Sequence, residues 1–230
     1  MRILITGAAG AIGSTLVGGM KDRHELRGFD REPMPDIADS IVGDIADFDA
    51  VLKATEGVEA VIHLAACPGG GCSWEEVLPN NIVGTYNLLE AAHQNGVRRI
   101  AYASRAGLLV PYPQNVTRTM DMLPRPESYY SVSKVFGESI GWMYHSRFDM
   151  EFVAVRIGNF SRSRPQPEHP HQLSHDDAVR VFEQAVVHPG VEFETVFGVS
   201  DSSWPLYDLD HGRQAIGYDP QDRSEIEPEV

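Results

Sequence analysis

Tyr130 and Lys134 stand four residues apart in "YYSVSK", a spacing that places them on one face of a helix. A free phenol titrates near 10, roughly three units above neutrality, so a tyrosine base needs help. An ammonium one turn away stabilises the phenolate, and the pair reads as a proton-abstracting couple. A second group with chemical potential is "TGAAGAIG", which sets Gly7, Gly10 and Gly13 between an apolar run and a helical one. Gly7 permits a tight turn, Gly10 lets backbone approach a pyrophosphate, and Gly13 lets strand and helix pack closely. Ala11 and Ile12 open a helix whose positive end would then face the phosphates. Asp30 closes the next apolar run, where a carboxylate accepts from both ribose hydroxyls and repels a 2′-phosphate. That favours NAD over NADP, with Arg31 softening the exclusion. Asp44, in "GDI", suits either an adenine amino group or the cap of the next helix.

Strands and helices must alternate to hold these residues, and the sequence has that order. "RILIT" reads as a buried strand, "AIGSTLVGGM" as a helix, and "ELRGFD" and "SIVGD" as further strands. "FDAVLKATEG" reads as a helix and "EAVIHLAA" as a strand. A glycine loop and a long helix through "NNIVGTYNLLEAAHQNG" come next. Then come the strand "RRIAYAS", the helix "YYSVSKVFGESIGWMYHSRF", the strand "EFVAVRIG", a helix capped by Ser174, and the strand "VEFETVFG". In that helix Asp176 and Asp177 favour the positive end. The expected fold is α/β, a doubly wound parallel sheet of Rossmann type. Residues 1–157 form its dinucleotide-binding core, and 158–230 a short substrate-side region folded onto the same domain, capping the sheet's carboxyl edge.

The 230 residues carry a net charge of −14, which argues against nucleic acid and anionic membrane surfaces as partners. Part of that acidity lies in the tail "DPQDRSEIEPEV", and no apolar run approaches the length of a membrane span. "MRILITGAAG" runs straight into a strand and turn, without a signal peptide, so the cytoplasm is the expected compartment. The two cysteines, Cys67 and Cys72, flank "PGGG" and are expected as reduced thiols; a metal site would need more ligands, so none is expected. His63 reads as a buried strand residue rather than a catalyst.

"TGAAGAIG", "GDI", "HLAA", "NNIVGTYNLLEAA", "YYSVSK" and "VRIGN" occur in the order that the extended short-chain dehydrogenases show. The chain thus resembles the NAD-dependent epimerase/dehydratase family. Its later stretches, such as "RPESYYSVSKVFGE" and "SHDDAVRVFEQAV", are most similar to uronate dehydrogenases, although the chain is short at its C-terminus. The resemblance implies NAD-dependent oxidation of a hydroxyl on a sugar or sugar acid, with Tyr130 as base. It makes Lys134 the group that lowers the tyrosine pKa and holds the nicotinamide ribose. Ile45, Leu64, Ala65, Ala66 and Ile157 would line the cofactor path, and Asn81 would support the active-site backbone and a water near the lysine. Asn159 would face the substrate, and a homodimer would form through helices around residues 82–95 and 129–146. An NAD-dependent sugar epimerase, or a nucleotide-binding regulator that has lost the chemistry, are the alternatives.

The chain departs from the family at "YASRAGLLVPYPQ", where Ser-Ser or Ser-Thr is usual and the second hydroxyl orients the substrate alcohol. Ser104 falls at the first position and Arg105 at the second. Three outcomes are open: Ser104 serves if the strand end bulges, Arg105 replaces the hydroxyl and suits an anionic substrate, or the site is impaired. The uronate enzymes also carry a carboxylate-binding arginine before "SHDD"; here "FSRSRPQPEHPHQL" has none at the aligned position. Arg162, Arg164, His169 and His171 are the nearby candidates.

Overall fold

The computed structural model describes residues 1–226; the last four residues of the acidic tail lie outside the described residues. β1 (Arg2–Thr6) alternates Ile3 and Ile5 toward one face and Leu4 toward the other, so both faces of the strand are covered. α1 (Ala11–Met20), β2 (Glu25–Asp30), β3 (Asp39–Val42), α2 (Phe48–Thr55) and β4 (Ala60–His63) follow. α3 (Trp74–Val77) then runs through a π-helical stretch, Leu78–Val83, into α4 (Gly84–Gln94). β5 (Arg99–Arg105), α5 (Tyr129–Phe148), β6 (Glu151–Ile157), α6 (His175–Val187) and β7 (Phe193–Gly198) complete the main winding. Short β8 (Asp201–Ser202), α7 (Asp210–Ile216) and β9 (Arg223–Ser224) close the described chain.

The seven long strands pair in parallel in the order β3-β2-β1-β4-β5-β6-β7, reversing direction of growth between β1 and β4. Ligands of such sheets bind at the carboxyl ends of the strands that flank this reversal. One apolar layer, with Leu16, Val181 and Phe182, packs under α1 and α6; the other, with Leu88, Leu89 and Phe152, packs under α2, α4 and α5. β7 joins β6 in the main sheet, so the region after residue 157 supplies a strand and a helix of the core as well as the cap. The capping part is a third cluster of Leu109, Phe197, Trp204, Leu206 and Tyr207 over the carboxyl edge.

Ser174 caps α6 as expected, its hydroxyl accepting from the Asp177 amide at 3.0 Å. Asp177 is fully buried and does more than complement the helix dipole. Its carboxylate accepts from Ser200 Oγ at 2.6 Å and from the Gln221 and Asp222 amides at 2.9 and 3.2 Å, tying the C-terminal segment to the sheet. α5 lies unusually close to β5: a Cβ at Gly137 would stand 2.6 Å from Tyr102 Cε1. This close approach sets the height of Tyr130 and Lys134 over the strand ends. Among the described residues no helix is long and apolar enough to cross a membrane.

Candidate active site

The glycine loop builds one wall of a cleft of about 450 Å³ at the sheet reversal. Gly7 has φ +72°, a turn closed to most side chains, and a Cβ at Gly13 would stand 2.7 Å from Ala8 Cα. Gly10 donates to the Gly7 carbonyl at 3.0 Å and precedes α1, whose free amides open toward the cleft. Gly7, Gly10, Ala11, Ile12, Gly13, Asp30, Arg31, Ile45, Leu64, Ala65 and Ala66 all border this space, along with Phe160, for which the sequence carried no signal. Asp30 accepts from the Ala9 amide at 2.9 Å and the Glu32 amide at 3.1 Å, which fixes its carboxylate beside the loop. The glycines, the open helix end and the anchored acid fit a dinucleotide. Asp44 lies at the rim, exposed, and its carboxylate accepts from the Ala46 amide at 2.9 Å; Asp47 is the residue that caps α2.

A second cavity, of about 690 Å³, adjoins the first; Ile12, Leu64, Ala66, Pro68 and Phe160 belong to both walls. Tyr130, Lys134, Ile157, Asn159, Ser104 and Arg105 border it, as do His171 and Tyr207. Ser128 starts α5 by accepting from the Ser131 amide at 3.1 Å, so Tyr130 and Lys134 project from its first two turns. Lys134 Nζ lies 5.3 Å from the Tyr130 ring centre and 5.1 Å from that of Tyr102. Burial, and then the charge of Arg105, draw the Lys134 pKa down from 10.5 to about 7. Burial pushes the Tyr130 phenol up, and the opposing pull comes from Arg105. Arg105 is thus a second cation beside the phenol, in addition to Lys134 one helical turn away.

Asn81, buried in the π-helical stretch, links two parts of the site. Its Oδ1 accepts from the Cys67 amide at 2.8 Å and its Nδ2 donates to Ser133 Oγ at 2.9 Å. Ser133 in turn donates to the Tyr130 carbonyl at 2.7 Å. A π-bulge turns its side chains relative to the α-helix on either side, and such bulges collect at functional sites. His63 is a buried scaffold residue, as expected. Its ring meets Thr6 Oγ1 at 2.7 Å, and burial takes its pKa down to about 3.

The strand end settles which way the unusual pair points. β5 pairs with β6 without interruption from Arg99 to Arg105, so there is no bulge to rotate Ser104. Ser104 Oγ donates to Glu138 Oε1 at 2.6 Å, beneath the site, where Arg156 holds the same carboxylate through two nitrogens at 2.9 Å. Ser104 borders the cavity while its hydroxyl proton is engaged by this buried network. Arg105 takes the cavity side: its Nη1 donates to Ser131 Oγ at 3.1 Å and its Cζ lies 5.3 Å from the Tyr130 ring centre.

Of the four candidates in the loop before α6, only His171 borders this cavity. Its Nδ1 meets Tyr207 Oη at 2.8 Å, and its pKa is drawn down to about 4 by burial, then by His169 and Arg118. His169 stacks on it at 5.1 Å, Arg164 pairs with Glu168, and Arg162 donates to the Ala9 carbonyl of the glycine loop. Tyr207 escaped the sequence reading because nothing local marks it. It is held by Arg118, whose backbone brackets it and whose buried guanidinium donates to the Val116 and Tyr112 carbonyls at 2.6 and 2.7 Å.

Cys67 and Cys72 are joined as a disulfide, not reduced as the sequence suggests; the "PGGG" turn brings their Cα atoms to 6.6 Å. Glu76 lies within 4.8 Å of both sulfurs, but paired sulfurs offer no thiolate to a metal. Pro68, inside the bridged loop, touches both cavities.

A doubly wound sheet with a glycine loop, a ribose acid and a Tyr-x-x-x-Lys pair defines a dinucleotide-dependent oxidoreductase of the short-chain class. The profile of the NAD dependent epimerase/dehydratase family matches residues 3–185, and the chain belongs to that family; its dinucleotide is accordingly NAD. The chain is 38% identical to the NAD-dependent glucose-6-phosphate dehydrogenase of Haloferax volcanii, over 96% of its own length and 94% of that protein. Against the uronate dehydrogenase of Pseudomonas putida the identity is also 38%, over 97% and 85%. The crystal structure of uronate dehydrogenase from Agrobacterium tumefaciens aligns at a TM-score of 0.89 with 32% identity, covering 97% of this chain and 85% of that one.

Proposed function

We propose that this chain oxidises a hydroxyl group of a sugar or sugar acid, with Tyr130 as the base. The observation that carries the reading is the projection of Tyr130 and Lys134 into a cavity sharing a wall with the dinucleotide cleft. The glycine loop would hold the pyrophosphate of NAD, Asp30 its adenosine ribose, and Lys134 its second ribose. When bound, NAD supplies the hydride acceptor. Tyr130 takes the hydroxyl proton, and the charge of Arg105 opposes the upward push that burial gives the phenol. Lys134, titrating at about 7, is suited to pass that proton onward. Relatives named for uronate, glucose 6-phosphate and L-arabinose oxidation support a sugar-type substrate.

The test is to incubate purified protein with NAD and a panel of aldoses, uronates, aldonates and sugar phosphates while following reduced-nicotinamide absorbance. Net accumulation of NADH separates a dehydrogenase from an epimerase, which returns the hydride. Tyr130→Phe should abolish turnover and leave NAD affinity nearly unchanged. Silence across the panel, or full activity in Tyr130→Phe, refutes the reading. Exposed Val83 just before α4 and Tyr86 on it, with Tyr129 and Val132 on α5, support a homodimer through these helices. A monomer mass by light scattering at micromolar concentration would reject that assembly.

A further inference from the structure

Arg105 is a cation built into the reacting end of the substrate cavity. Besides Ser131 it makes no side-chain hydrogen bond to the described residues, and no Asp or Glu borders the cavity, although the chain carries a net charge of −14. A guanidinium has five N–H donors in a flat fork, and one bond to Ser131 fixes its orientation while leaving an edge for a planar anion. The strand end is shaped for it. A Cβ at Gly107 would stand 2.6 Å from Arg105 Cζ, so the guanidinium occupies space that any side chain at 107 would contest.

The His171–Tyr207 wall of the cavity carries no cation of its own. Arg162 turns to the glycine loop, Arg164 to Glu168, and Arg118 is enclosed by backbone carbonyls. What faces the cavity there is Tyr207 hydrogen-bonded to an uncharged His171. A substrate with its anion remote from the reacting carbon would leave that anion without a cation and Arg105 without a partner, an expensive double mismatch. One with its anion beside the reacting carbon satisfies Arg105 and presents hydroxyls to the tyrosine and histidine.

We propose that Arg105 clamps a carboxylate on the carbon adjacent to the one oxidised, so that the substrate is a 2-hydroxy acid with a polyol tail, of the aldonate type. This rests on the dehydrogenase reading above and places the oxidised carbon next to the carboxylate. The Cα–H bond breaks with its electron pair passing to NAD as hydride. The hydroxyl proton goes to the Tyr130 phenolate, and the C–O bond becomes the carbonyl of a 2-keto acid.

The experiment has a binding arm and a turnover arm. NAD-loaded protein is titrated calorimetrically with D-gluconate, D-galactonate, D-xylonate, D-glucose, D-glucuronate and glucose 6-phosphate. At least one aldonate should bind more tightly than every other probe, and Arg105→Gln should weaken that binding by about ten- to hundredfold, as loss of charged hydrogen bonds does. In the turnover arm KM for the aldonate should rise in Arg105→Gln, and a carbonyl trap should recover a 2-keto acid rather than a lactone. Arg105→Lys, which keeps the charge and loses the fork, should recover only part of the affinity; circular dichroism confirms that both variants fold, and Arg105→Ser replaces any that does not. Preference for glucuronate, glucose or glucose 6-phosphate over all aldonates overturns the clamp while leaving the dehydrogenase reading intact. Failure of every aldonate to bind, or aldonate binding indifferent to Arg105, overturns it too. Arg105-dependent aldonate binding with no NADH from any probe supports the clamp and removes the dehydrogenase reading.

Discussion

Replacing Lys134 by methionine should make the protein more stable while destroying its proposed chemistry, and the gain should depend on pH. The Lys134 side chain is 3% exposed, and its titration moves from 10.5 to about 7 on folding, chiefly by burial. At 1.36 kcal/mol for each tenfold change, holding the ammonium in that environment costs roughly 5 kcal/mol at most. The folded-state value lies below the unfolded one, so below pH 7 both states are protonated and the full cost is present. Between pH 7 and 10.5 the unfolded chain binds the proton and the folded chain does not, so wild-type stability from this group rises with pH. Methionine has similar length and no charge, and removes the cost at every pH. Urea unfolding without added dinucleotide, from pH 6 to 10, should show Lys134→Met ahead by about 2–5 kcal/mol at pH 6, with the advantage shrinking toward alkaline pH. An advantage that is absent at pH 6, or constant across the range, would refute the claim that this ammonium is desolvated.

Four further outcomes follow from the geometry. Glu138→Ala should destabilise by about 3–5 kcal/mol in urea unfolding, because it strands Arg156, one of whose nitrogens, Nη1, already lacks a partner. Ser104→Ala should cost about 1–2 kcal/mol of stability and change kcat less than threefold, since its hydroxyl serves Glu138; a large loss of kcat would return Ser104 to the chemistry. Asp30→Ser should shift cofactor preference toward NADP by about tenfold or more in kcat/KM, by removing a carboxylate that repels the 2′-phosphate. In Arg105→Gln the alkaline-rising limb of the oxidation rate should move to higher pH, because the charge that draws the Tyr130 phenol down is gone; an unmoved limb would count against that electrostatic role.

The periodic parts of the fold were legible in the sequence for a plain reason. Strands such as "RILIT" and "EFVAVRI" are buried on both faces and read as continuous apolar runs, and the glycines of the dinucleotide loop have a fixed spacing set by backbone contact. Tyr130 and Lys134 were legible because helical spacing alone puts them together. What the sequence left open depended on long-range geometry. How Ser104 and Arg105 share the cavity edge turns on the strand register, which runs unbroken between β5 and β6. Tyr207 reaches the site from the opposite end of the chain, held by Arg118, and no local pattern announces such a contact. The π-helical turn around Asn81 likewise sits where a helix meets the Cys67 backbone, whereas the Cys67–Cys72 bridge is a local closure of the "PGGG" turn.

The alternation of β5 separates two jobs by a single peptide unit. Ser104 belongs to the foundation beneath the sheet edge, locked to Glu138 and Arg156, whereas Arg105 belongs to the chamber above it. If Arg105 clamps the substrate as proposed, a change there with a matching change at Gly107 would re-tune what the chamber accepts, while Ser104, Glu138 and Arg156 keep bonds that do not involve Arg105. Substrate choice in a protein built this way can drift through two codons while its architecture stays under separate and stronger constraint.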